Sequence, residues 1–129
     1  MNREKLYVDH VVLTVASLPE TEEFYTRLFG NPDFETEDSI MFYIGSTRLF
    51  LVQQKPGETA ATTFNPNVVG LEHLAFGVKT LDELVEIEKN LADKQVENSG
   101  IHMDKHSNKE KIWLNDPSGI RIEFFLRPV

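Results

Sequence analysis

The chain has 129 residues, 40% of them hydrophobic and 26% charged, enough apolar material for a core without disulfide staples. It has no cysteine, which excludes disulfides, thiolate metal sites and a cysteine nucleophile. A formal net charge of -8 repels phosphate backbones, and no apolar run reaches membrane-span length, so neither nucleic acid nor a bilayer is an expected partner.

The N-terminus, "MNREKLYVDH", has basic residues but no long apolar stretch after them, so it does not read as a signal peptide and a cytoplasmic protein is expected. The first strand is "YVDHVVLTV", residues 7–15, with a histidine at position 10. Alternation puts Val8, His10, Val12 and Thr14 on one face and Val11, Leu13 and Val15 on the other. A helix follows. Ser17 and Glu20 have the spacing of a capping box, and Pro19 falls in the first turn. Phe24, Leu28 and Phe29 form its apolar stripe, and Gly30 ends it. Three strand candidates come next: "DFETE", "IMFYIG" and "TRLFLVQQ", with a tight turn at Gly45. Residues 54–69 lack periodicity and read as a linker.

The pattern then repeats. "LEHLAFGVKTLDELVEIEKNLA" echoes "VDHVVLTVASLPETEEFYTRLF" at an offset of 63: His73 matches His10, Thr80 matches Ser17, and Glu83 matches Glu20. Leu84, Ile87 and Leu91 make the second helical stripe, which runs to about Lys94. The remaining strand candidates are "QVENSG", "KEKIWLN" and "IRIEFFLR". The turn "NDPSG" matches Gly45 at an offset of 74, so the second half carries about eleven extra residues, in the polar stretch "NSGIHMDKHSNKEK". The expected fold class is α+β: two βαβββ modules, 6–53 and 70–127, forming a curved mixed sheet around a cleft, with the helices on the outer face. The whole chain is then one domain built of two modules.

Both histidines point away from the helix-packing side of their strands, and Glu123 stands between Ile122 and Phe124 in the last strand. Taken singly, each has an ordinary explanation: a hydrogen-bonded strand histidine, and a glutamate salt-bridged to Arg48 or Arg121. Taken together they make a set of two histidines and one carboxylate, which leaves positions open on a divalent ion such as Fe(II). Tyr43 and Trp113 serve equally well as core residues or as stacking surfaces for a substrate. Phe50 and Phe125 could form an apolar floor, and Arg121 either orients an anionic substrate or pairs with surface acids. His102 and His106 lie in the polar stretch, as loop histidines or as groups closing over a substrate.

The stretches "DHVVLTVASLPETEEFYTRLFG", "LEHLAFGV" and "NDPSGIRIEFF", in this order and spacing, resemble the vicinal oxygen chelate superfamily of glyoxalases, extradiol dioxygenases, fosfomycin-resistance enzymes and bleomycin-binding proteins. The resemblance implies His10, His73 and Glu123 as ligands of a divalent metal (Fe, Mn, Ni or Zn), with Glu123 also in a catalytic role. It implies a small oxygen-chelating substrate and a homodimer. The activity would be of dioxygenase, lyase or thiol-transferase type; the alternative is a non-catalytic protein that sequesters a small molecule or antibiotic. One departure narrows the choice. Where glyoxalase I has a carboxylate in the last strand of its first module, this chain has only Leu49, Phe50 and Leu51.

Overall fold

A computed structural model describes residues 1–58 and 60–128. The chain divides into two compact units, Met1–Thr62 and Thr63–Val129. Among the described residues no helix is long and apolar enough to cross a membrane.

The first unit opens with a short 3-10 turn, Arg3–Lys5, followed by β1 (His10–Val15) and α1 (Leu18–Phe29). Three strands complete it: β2 (Phe34–Glu35), β3 (Ser39–Ile44) and β4 (Thr47–Gln53). The sheet order is β1-β4-β3-β2; β1 and β4 run parallel and the other pairs are antiparallel. Alternation along β1 is as expected, with Leu13 and Val15 buried and His10, Val12 and Thr14 exposed. The buried stripe of α1 differs from the expected one. Leu18, Thr21 and Tyr25 are buried, while Phe24, Leu28 and Phe29 are half-buried. The Tyr25 ring, packed against Phe24, Phe29 and Phe42, turns the helix so that position 25 faces the sheet.

The entry to α1 is held by a side chain from the sheet. Gln53 at the end of β4 accepts from Leu18 N at 2.7 Å and donates to the Ala16 carbonyl at 2.9 Å. Ser17 Oγ accepts from Glu20 N at 3.5 Å, but Glu20 makes no reciprocal bond among the described residues. Gly30 ends the helix at φ 83°, as its position suggested.

The second unit repeats the plan with β5 (His73–Val78), α2 (Leu81–Asp93), β6 (His102–Met103), β7 (Glu110–Asn115) and β8 (Arg121–Leu126). Its sheet order is β5-β8-β7-β6, with β5 and β8 parallel. The capping box of α2 is complete: Thr80 Oγ1 accepts from Glu83 N, and Glu83 accepts from the Thr80 and Lys79 N–H groups. Leu84 and Leu91 pack under the helix, facing a core that includes Ile112, Leu114, Ile122 and Phe124. Burying each such side chain contributes roughly 1.5–3 kcal/mol.

One expected strand is displaced. Residues 95–100 are not a strand; the short β6 is His102–Met103, inside the stretch read as a loop. Gln95 and Gly100 have φ of 58° and 71°, which breaks extended backbone at both ends of the segment. Asn98 further folds it by donating to the Val96 carbonyl and accepting from Gly100 N. The "NDPSG" turn forms as read. Asp116 Oδ1 accepts from Ser118 N and Ile120 N, and Gly119 sits at φ 84°. The Ser118 carbonyl also accepts from Phe64 N at 2.7 Å, so the linker is tied to this turn. Its earlier part is closed by Gln54, whose side chain bonds both backbone groups of Ala61.

Candidate functional site

Register decides what stands beside each histidine. His10 pairs with Arg48 across β1 and β4, and His73 pairs with Arg121 across β5 and β8. Two residues on, Val12 pairs with Phe50 and Ala75 with Glu123. Phe50 therefore occupies in the first unit the place of Glu123 in the second, and the position is apolar as the sequence indicated. The Phe50 ring meets the His10 imidazole edge-on, centroids 5.9 Å apart. Tyr43, paired with Arg48 and 54% exposed, carries the Arg48 guanidinium 5.3 Å from its ring centroid. Tyr43 is thus a surface shelf and not a core residue.

Each histidine is held by the acid before it. The Asp9 carboxylate accepts from His10 Nδ1 at 2.7 Å, and the Glu72 carboxylate from His73 Nδ1 at 3.0 Å. Asp9 also meets Arg48 at 3.3 Å. The hydrogen bond from His10, aided by the Arg48 charge, pulls the Asp9 carboxyl below its usual range. Fixing Nδ1 leaves Nε2 as the free donor atom of each ring, the arrangement in which a carboxylate orients a metal-ligating histidine. The histidine side chains are 53% and 37% exposed, so neither is a core residue.

In the second unit His73 Nε2 lies 3.8 Å from Glu123 Oε1. The Glu123 side chain is only 4% exposed. Among the described residues the lysine or arginine that pairs with it is Lys111 of β7, with Nζ 3.5 Å from the same Oε1, and not Arg48 or Arg121. Arg121 instead places its guanidinium carbon over the Trp113 ring, 4.1 Å from the centroid. Lys111 is further paired with Asp104 at 3.2 Å. Two bonds from Ser107, through N and Oγ, hold the Asp104 carboxyl at a pKa of about 2, with Lys111 adding to the effect.

These residues border an open pocket of about 620 Å³, lined among others by His73, His106, Lys111, Arg121, Glu123 and Phe125. His106 thus reaches the pocket, whereas His102 turns its Nδ1 to the Gly100 carbonyl at 3.1 Å and braces the loop. Lys111 was absent from the sequence reading. Counting back by two from Trp113 puts it on the Glu123 face, because Trp113 pairs with Glu123 and Lys111 with Phe125.

His73, Glu123, Arg121, Trp113 and Phe125 are thus brought onto one sheet, while His10, Tyr43 and Phe50 belong to the other unit. Among the described residues no group of three His, Cys, Asp or Glu side chains is gathered to hold a metal ion.

Known proteins agree with this architecture. The glyoxylase/bleomycin resistance protein/dioxygenase domain from Frankia sp. EAN1pec superposes with a TM-score of 0.74 at 22% identity, covering 94% of this chain and 97% of that one. Lactoylglutathione lyase from Agrobacterium tumefaciens superposes with a TM-score of 0.71 at 17% identity, covering 93% and 92%. In sequence the chain is 28% identical over 120 residues to a trivalent organoarsenical cleaving enzyme of Bacillus sp. (strain MD1), covering 90% of this chain and 70% of that enzyme. The family model matches residues 7–124, so the chain belongs to the Glyoxalase/Bleomycin resistance protein/Dioxygenase superfamily.

Proposed function

We infer that the protein is a metal-dependent enzyme of this superfamily acting on a small oxygen-chelating substrate. The observation that carries the reading is the approach of His73 Nε2 to the buried Glu123 carboxylate at 3.8 Å, with Nδ1 already engaged by Glu72. Two donors at that separation suit one shared divalent cation, whose bonds to imidazole and carboxylate are each about 2.0–2.2 Å. His10, oriented by Asp9 in the same way, is the third ligand. We also assign the protein to a homodimer, as the resemblance to the superfamily implies.

When bound, the ion supplies Lewis-acid polarisation of the substrate's oxygens. The protein's own residues do the rest. Glu123 is the candidate base, screened from water. Arg121, held over Trp113, faces an anionic group of the substrate. Phe125 and Phe50 supply apolar walls, and Tyr43 a stacking surface.

Trivalent arsenic is a soft centre that takes thiolate ligands, and this chain has no cysteine. The reading therefore keeps to oxygen-chelating substrates and to dioxygenase, lyase or thiol-transferase chemistry.

Metal analysis of protein purified without chelator tests this, followed by titration of His10→Ala, His73→Ala and Glu123→Gln and a screen of catechols, 2-oxoaldehyde–thiol adducts and fosfomycin. Failure of the wild type to take up Fe, Mn, Ni or Zn would sink it. The second reading, a non-catalytic binder, draws on the apolar Phe50 corner. Ligand-induced thermal stabilisation that survives EDTA and the His73→Ala/Glu123→Gln double substitution would favour it.

A further inference from the structure

Lys111 is the one lysine side chain that meets the buried Glu123 carboxylate among the described residues. Its own side chain is 16% exposed, and its ammonium stands between two carboxylates, 3.2 Å from Asp104 Oδ1 and 3.5 Å from Glu123 Oε1. The Glu123 oxygen it meets is the one facing His73 Nε2. A buried carboxylate without a cationic partner is costly, and Lys111 is the lysine that stands against Glu123 and holds it in place. A divalent ion shared by His73 and Glu123 would draw on the same oxygen and repel the ammonium.

We propose that Lys111 is a built-in competitor for the metal: a positioning residue that neutralises Glu123 in the empty site and withdraws toward Asp104 when a divalent cation arrives. Asp104 is suited to receive it. Its carboxylate is anchored by Ser107 N and Oγ, each at 2.9 Å, so the second partner of the ammonium does not move with the first. Lys111 and Asp104 thereby set how readily the site loads. Both come from the part of the second unit that has no counterpart in the first, or border it. The inference rests on the metal reading of His73 and Glu123.

The test is titration of the intact protein with Mn(II) alone, followed by EPR of the free ion at constant pH, with thermal melting in EDTA and in Mn(II). Lys111→Met is expected to bind Mn(II) at least about tenfold more tightly than the wild type, since one repelling charge is gone. It should also melt lower in EDTA and gain more from Mn(II). Asp104→Asn should act in the opposite sense and weaken Mn(II) binding, because Lys111 then has only Glu123 to pair with. The double variant should behave like Lys111→Met. Additive electrostatics without competition would also give opposite signs for the two single variants, but would return the double variant to near wild-type binding, and that outcome overturns the competitor role. Lys111→Gln carries the same expectation should the methionine variant not fold without metal. Equal or weaker binding by the Lys111 variants, with wild-type binding still lost in His73→Ala, overturns the competitor role and leaves the metal reading standing. No Mn(II) binding by any form overturns both.

Discussion

The Glu72 carboxylate accepts the Nδ1 proton of its own neighbour, His73, at 3.0 Å, and Asp9 does the same for His10 at 2.7 Å. Adjacent residues of a strand point to opposite faces, so each acid sits just before its strand begins and bends back to the ring. The pairing has been built twice, once per module.

Glu72→Gln and Asp9→Asn should therefore each weaken binding of a divalent metal by about 10–100-fold while leaving the fold intact, because an orienting carboxylate also raises the basicity of the ligating nitrogen. Isothermal titration with Ni(II) or Mn(II) checks this, with circular dichroism as the control. Unchanged affinity in both variants would reduce the two carboxylates to surface partners.

Asp104 predicts an acid-sensitive loop. Its folded-state pKa is about 2, below the ordinary 3.8, so the ionised form is bound more favourably in the native protein. A depressed acid contributes stability that is present above its unfolded pKa and is lost as pH falls through the folded value. In urea unfolding, the wild type should exceed Asp104→Asn in stability above pH 3.8, and the gap should close as pH falls toward about 2. A gap independent of pH over that window would contradict the assignment.

The two helix starts should respond differently to mutation. Thr80→Ala removes the acceptor of a complete capping box and should cost about 1 kcal/mol. Ser17→Ala should cost less, since its bond to Glu20 N is 3.5 Å long and Gln53 already satisfies Leu18 N. Gln53→Ala is the more damaging change at α1, at roughly 1–3 kcal/mol, because it removes the acceptor of the Leu18 N–H at the helix start. Chemical denaturation of the three variants ranks them; a Ser17→Ala cost equal to that of Thr80→Ala would refute the role given to Gln53.

Much of this was open to view in the sequence. The offset of 63 carried His10 to His73 and Ser17 to Thr80 because a duplicated module must repeat its strand, cap and helix in order. Strand alternation separated the histidine face from the core face because its period is two, whatever the neighbours are. The α1 stripe was misjudged for the opposite reason. Phe24, Leu28 and Phe29 are the more apolar residues, but Tyr25 and Thr21 are the ones the sheet covers. The Tyr25, Phe29 and Phe42 rings form one cluster, and Tyr25 is its fully buried helical member. The extra residues of the second half were likewise located, while their short strand was placed several residues too early, since Gln95 and Gly100 adopt positive φ that no periodicity reports.

The site divides in the same way. Residue order alone determined that each module presents one histidine, preceded by an acid, on the face opposite its helix, and that Phe50 leaves one corner without a carboxylate. Those are properties of a single strand and its period. Which cation faces Glu123 was settled only by tertiary structure. Arg121 is two residues away on the same strand and was the natural candidate, yet it lies over Trp113, while Lys111 from the adjacent strand approaches the carboxylate. The choice depends on cross-strand register and on a loop that brings Asp104 to Lys111, and those are relations between segments distant in the chain.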